Sequence, residues 1–318
     1  MASFRLLAWA AAVGWLASPV AEGAEWLCWS SDQGRKIECA HPDGSQHQQW
    51  ATSSGKPMGL AVDQAGRTLF WAERDTERIM SASLTQPDTV TTLVQLPVGT
   101  GLRGMAIAPS IRKIYWVGEN AQVVQRANYD GTNVETLPIP VASFFDVQID
   151  DRAGMLYWTN GTEIWRSNLD ATVRNMIVGD TDQPYYLALD LQAGKVYWTD
   201  FSRFEIGRAN LDGTGRESPG PVAGLLDRPV GIAVDPTTST MYWTLEGGEL
   251  QRAGFDGTGV SSVLSGLTSP WDLTIVNALG PAPPIPAAST WGLVALALSL
   301  LSAGTILTLR RDGSLARR

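Results

Sequence analysis

Two cysteines, two histidines and a recurring set of aspartates are the side chains on which covalent, metal or acid–base chemistry would rest in this chain of 318 residues. Cys28 and Cys39 flank Gln33-Gly34 symmetrically. A two-residue turn there pairs 32 with 35, 30 with 37 and 28 with 39, so the sulfurs face each other across paired strands. In an exported protein such a pair forms a disulfide; two free buried thiols are the alternative. His41 and His47 are the only histidines. No Ser-His-Asp set, HExxH or CxxC is present, and no catalytic residue, metal ligand or cofactor is assigned. Asp63, Asp150, Asp190 and Asp235 resemble a carboxylate ring, but each stands at the same point before a Gly- or Thr-containing turn. Aspartates so placed accept hydrogen bonds from the turn's own amides.

The elements that position these residues repeat. Cys28-Trp29-Ser30, Phe70-Trp71-Ala72, Tyr115-Trp116-Val117, Tyr157-Trp158-Thr159, Tyr197-Trp198-Thr199 and Tyr242-Trp243-Thr244 are copies of one short strand, with Trp-to-Trp steps of 42, 45, 42, 40 and 45 residues. Upstream of five of them runs an apolar strand, such as Pro57 to Asp63 or Pro229 to Asp235, whose last residue precedes the Trp by eight. That constancy predicts a hairpin of fixed register. Downstream, a third strand ends in a turn such as Asp130-Gly-Thr, Asp212-Gly-Thr or Asp256-Gly-Thr, and a more variable fourth strand follows. Four strands in about forty residues predict an all-β, six-bladed β-propeller. The first unit lacks its apolar strand, and the last apolar strand, Pro270 to Val276, lacks its Tyr-Trp partner. The two fragments complete each other, so the C-terminal strand is predicted to close the ring within residues 25–277.

Tyr197-Trp198-Thr199-Asp200, followed by Ile206-Gly-Arg-Ala-Asn-Leu-Asp-Gly-Thr214, resembles the YWTD repeats (class B repeats) of the low-density lipoprotein receptor family. The resemblance covers residues 25 to 277. It departs at the motif's fourth position, which is Asp only at Asp200, and the disulfide-rich modules that flank the family's propellers are absent. Strand alternation puts the start of each innermost strand and the loops between second and third strands on one face. Its second residues are Met58, Arg103, Phe145, Tyr185, Val230 and Trp271, with Glu73, Phe201, Phe204 and Glu205 in neighbouring loops. The resemblance implies that this face binds a protein, peptide or glycan; the competing reading is that these side chains plug the channel mouth. A propeller hydrolase or lyase that uses channel carboxylates, with Asp146 and Asp272 near the mouth, is the alternative function.

The chain carries 24 Lys and Arg against 32 Asp and Glu, a net charge of -8. An acidic body repels phosphate backbones and argues against a nucleic-acid partner. Residues 1–24, with Arg5 before the apolar run Leu6 to Ala17, read as a signal peptide. Residues 278–290 form a Pro-rich linker. Residues 291–309 hold no charge and would span about 29 Å as a transmembrane helix. The basic tail 310–318 predicts a cytoplasmic C-terminus, with the propeller exported to the periplasmic side or the cell surface. Ile285-Pro286, Ser289, Trp291-Gly292, the apolar stretch and the Arg cluster resemble a PEP-CTERM/IPTL-CTERM sorting signal, which implies a processing protease of the exosortase type. The propeller is expected to be a monomer.

Overall fold

The computed structural model describes residues 25–139, 143–217 and 220–277. All of them lie in the first of two units, Met1–Pro281. The expectations for segments 1–24 and 278–318, including the sorting motif, fall outside the described residues. Among the described residues no helix is long and apolar enough to cross a membrane.

Six antiparallel sheets form the domain, five of four strands and one of three. In the closing blade the innermost strand, Pro270–Asn277, pairs with Glu25–Ser31, which is followed by Lys36–Ala40 and Gln48–Thr52. The register Trp29↔Leu273 and Cys28↔Thr274 joins the two ends of the domain. The chain then builds blades two to six in order, with innermost strands at Pro57–Asp63, Leu102–Ala108, Val147–Asp150, Pro184–Asp190 and Pro229–Asp235. In the fourth blade the ladder begins only at Val147, and positions are counted from Phe144 as in the sequence repeat. In the fifth blade, among the described residues, the fourth-strand segment meets the third strand at the Ile206–Val222 bridge and at the Glu217 amide, which donates to the Arg208 carbonyl.

The fixed spacing read from sequence is the first hairpin of each blade. Asp63 pairs with Thr68, Asp190 with Lys195 and Asp235 with Thr240, so each terminal aspartate ends the innermost strand. Its carboxylate caps the turn: Asp150 accepts the Arg152 and Ala153 amides, and Asp190 those of Gln192 and Ala193. These aspartates form no carboxylate ring. The Asp-Gly-Thr turns work alike, with Asp212 accepting both the Thr214 amide and its hydroxyl. Gly213 sits at φ +87° against the Ile177 carbonyl of the preceding blade, where a Cβ would clash.

The repeated tryptophans Trp29, Trp71, Trp116, Trp158, Trp198 and Trp243 are fully buried between blades. Burying rings of this size removes much apolar surface from water and so holds such sheets face to face. Cys28 and Cys39 pair directly in register and form a disulfide, with Cα atoms 4.1 Å apart.

Two kinds of polar contact bolt one blade to the next. The first uses the Thr or Ser that follows the Trp in four of the six blades, Ser30, Thr159, Thr199 and Thr244. The innermost strand slips register near its start, for example between Pro184 and Leu187, leaving an amide out of the ladder. Thr199 Oγ1 accepts the Tyr186 amide at 3.0 Å and donates to the Val230 carbonyl of the next blade at 2.6 Å. Thr244 does the same between Gly231 and Trp271, and Ser30 between Asp272 and Met58. Where the third blade has Val117 instead, the Gly104 amide reaches the Phe145 carbonyl directly. The second bolt is an arginine on the third strand. Arg126 reaches the Leu169 carbonyl, Arg166 that of Leu211, Arg208 that of Phe255, and Arg252 that of Pro42 across the closure.

Candidate ligand-binding face

The second residue of each innermost strand is brought to one end of the channel, as the register requires, but the six are not equivalent. Met58 and Val230 are each 1% exposed and belong to the packing between blades. Arg103, Phe145, Tyr185 and Trp271 meet in one cluster. Tyr185 stacks on Phe145 at 4.4 Å between centroids, on Phe201 at 4.9 Å and on Trp271 at 5.8 Å. The Arg103 guanidinium lies 5.6 Å from the Phe145 and Tyr185 ring centres and 5.2 Å from that of Trp271. A cation held against ring faces in a desolvated place is attracted by their quadrupoles.

Arg103 is itself fixed. Its Nε donates to Glu119 at 2.7 Å and its Nη1 to the Tyr185 hydroxyl at 3.1 Å, while Arg74 shares Glu119 at 3.0 Å. Burial pushes the Tyr185 phenol above its ordinary range, with the Arg103 charge opposing, so it stays a neutral acceptor. Tyr185 and Phe145 are buried, whereas Trp271, Phe201, Phe204 and Glu205 are half-buried and reach solvent. Tyr185, which the sequence places on the binding face, is therefore not exposed there: it is the keystone on which the exposed rings stack. Arg228 covers Phe201 at 4.8 Å and pairs with Glu246 at 3.3 Å.

Glu73 is no part of the exposed surface. It is fully buried and accepts from Ser53, Thr76 and the amide and hydroxyl of Ser54. Burial pushes its carboxyl up, but these donors outweigh it and hold the pKa below the usual range. Asp200, at the same motif position, accepts the Asp182, Gln183 and Arg203 amides. The motif's acid therefore pins the loop entering the innermost strand. That role was readable from its place at a strand end beside polar loop residues.

The third residue of each innermost strand forms a deeper ring: Asp272, Gly59, Gly104, Asp146, Tyr186 and Gly231 in blade order. Asp146 and Asp272 are half a turn apart around six blades. Each hands one oxygen to the amide of the next blade, Asp146 to Leu187 at 2.9 Å and Asp272 to Leu60 at 2.7 Å. The expectation that they lie near a mouth is corrected; both are buried within the channel. Among the described residues no three His, Cys, Asp or Glu gather closely enough to hold a metal ion. His47 instead contacts Glu38 at 3.1 Å and His41 packs on Trp26, both in the closing blade.

This geometry can be set against known proteins. No family model matches the chain. A low-density lipoprotein receptor-related protein 1 of Pyricularia oryzae is 28% identical over 179 residues, covering 46% of this chain and 58% of its own length. The human low-density lipoprotein receptor-related protein 5-like protein is 34% identical over 135 residues, covering 41% of this chain and 53% of its own. The chain thus spans somewhat more than half the length of these two curated relatives. Among solved structures, a chain of the nidogen/laminin complex superposes with a TM-score of 0.70 at 19% identity, over 79% of this chain and 98% of that one. The domain is a six-bladed β-propeller whose repeats are similar to those of low-density lipoprotein receptor-related proteins. A gluconolactonase from Xanthomonas campestris shares the fold with a TM-score of 0.62 at 17% identity, over 80% of this chain and 95% of its own. At these identities the two structures speak to the fold alone.

Proposed function

We propose that this propeller is an exported, membrane-anchored binding module that takes a protein, peptide or glycan at the channel end around Trp271. The observation that carries the reading is a half-exposed aromatic shelf, Trp271 and Phe201, stacked on Tyr185 and locked by Arg103. Rigid aromatic anchors beside fixed arginines are the residue types that dominate interface energetics, because they lose little entropy on binding. Arg228, Glu246 and Glu205 border the shelf and supply charge selectivity. The apolar stretch 291–309 and the basic tail support anchoring with the propeller outside. Peptide-display and glycan arrays probed with the intact protein test the reading. Hits that survive Trp271→Ala and Phe201→Ala undiminished would count against it.

A second reading, a propeller hydrolase or lyase, draws on Asp146 and Asp272 and on the shared fold with a gluconolactonase. Lactone hydrolysis that vanishes in Asp272→Asn would select it.

A further inference from the structure

At the end of the channel away from the aromatic shelf, the innermost strands enclose a cavity of about 480 Å³. Its wall has three tiers. The sixth residues of the strands, Val62, Ile107, Ile149, Leu189, Val234 and Ile275, all line it. Each packs its inner side on the inter-blade core and is half-exposed, so they form an aliphatic rim. The fifth residues form the next tier: alanine in four blades, but Gln148 and Thr274 in the other two. Those two are the blades that carry Asp146 and Asp272 in the tier below. Asp272 reaches the cavity itself, and Gln148 links it to Asp146, donating Nε2 at 3.2 Å. Small residues thus hold the funnel open, and one diameter across it is polar.

The floor is short of positive charge. Asp146 and Asp272 are 0% and 3% exposed, and among the described residues neither pairs with a Lys, Arg or His. Asp146 Oδ1 has no hydrogen-bond partner, nor has the buried Tyr186 hydroxyl in the same tier. Burial, and at Asp272 the nearby Asp146 charge, lift both carboxyls, Asp146 to about 7. Two carboxylates out of water are costly unless protonated or matched by a cation. A bare metal ion would leave the aliphatic rim unused, and the floor offers it only two acids; the other charged lining residues, Asp151 and Arg152, are half-buried and exposed rather than buried with that pair. A positive head on a hydrocarbon stem uses all three tiers.

We infer that this funnel binds a primary alkylammonium ion, its head at the Asp272–Asp146 pair and its stem along the rim from Val62 to Ile275. The site is independent of the aromatic shelf and stands whether or not the shelf binds a partner. The purified full-length chain, titrated calorimetrically with n-pentylammonium chloride, tests it. Saturable binding is expected, at least tenfold tighter than methylammonium, which lacks the stem, and than 1-pentanol, which lacks the charge. These two comparisons need no variant. Asp272→Asn, which keeps an acceptor for the Leu60 amide, should weaken pentylammonium at least tenfold while melting as a folded protein. Binding of Nα-acetyl-lysine amide as well would assign the site to a lysine side chain, and its failure beside pentylammonium to a free amine; either supports the site. No saturable pentylammonium binding, equal binding of 1-pentanol, displacement by millimolar calcium chloride, or full affinity in a folded Asp272→Asn protein would each overturn it.

Discussion

Thr199 joins two blades through one oxygen: it accepts the Tyr186 amide of its own blade and donates to the Val230 carbonyl of the next at 2.6 Å. The residue is fully buried, and its hydroxyl repairs the slip in the innermost strand. Thr199→Val keeps the shape and strands both backbone groups, at a cost of about 1–3 kcal/mol. A lowered urea midpoint with an unchanged slope is expected, with Thr199→Ser losing much less. If valine and wild type unfold together, the hydroxyl bridge contributes nothing.

Trp271 and Trp198 carry the same side chain in opposite circumstances. Trp198 is buried against Gly207, where its indole leaves no room for a Cβ. Trp198→Ala should cost about 3–5 kcal/mol. Trp271 is half-exposed, so Trp271→Ala should destabilise less while weakening a ligand of the shelf by about 1–2 kcal/mol. Equal losses in thermal melting, with no change in array hits, would make Trp271 a packing residue.

Stability should also report on the channel. Asp146 is held up to about 7 by burial, and Asp272 well above the usual range by burial and the Asp146 charge. The facing groups are the Leu187, Leu60 and Leu273 amides, Gln148 and Tyr186. Unfolded carboxyls ionise near 3.9. Between that and about 7 the fold keeps a proton that the unfolded chain has lost, so stability falls as pH rises. The slope is about 1.4 kcal/mol per pH unit for one such group. Below pH ~4 the trend reverses as carboxyls with lowered pKa, Glu73 and Asp235, take up protons. Urea unfolding from pH 4.5 to 8 should show the decline, and Asp146→Asn should flatten it. An unchanged slope in the variant would mean that Asp146 is ionised in the fold.

Ring closure makes a simpler forecast. Removing residues 270–277 deletes the innermost strand of the closing blade and bares Leu27, Trp29 and the edge of Glu25–Ser31. The shortened chain should self-associate, as an unpaired apolar edge does. A monomer by light scattering with the parent's melting temperature would contradict closure by this strand.

What was legible in the sequence was what turns dictate. The eight-residue spacing from Asp190 to Trp198 and the Gln33-Gly34 turn fix registers, and so the hairpins and the Cys28–Cys39 pair follow. The closing strand was legible because two incomplete repeats had one partner each. The fourth strands were less so, since an outermost strand has one neighbour and weak patterning; among the described residues the third blade's is only Glu135–Thr136. At the candidate site, sequence placed Arg103, Phe145, Tyr185 and Trp271 on one ring but not their order of burial. That order depends on which side chain reaches across the axis, as Arg103 does to Tyr185. The arginine bolts went unread because Arg126, Arg166, Arg208 and Arg252 look like solvent-facing strand residues until the neighbouring blade's carbonyl is in view.

The pairing of Glu25–Ser31 with Pro270–Asn277 also sets a clock. The closing blade cannot be finished until Asn277 has been made, although its other three strands are among the first of the domain to appear. Contacts between residues so far apart in sequence form slowly, because the intervening chain must first be ordered. Throughout synthesis the nascent domain is an open arc with an unmatched sheet at its leading end. A chain in that condition has not yet matched its first sheet, and it acquires its resistance to unfolding only when the last strand arrives.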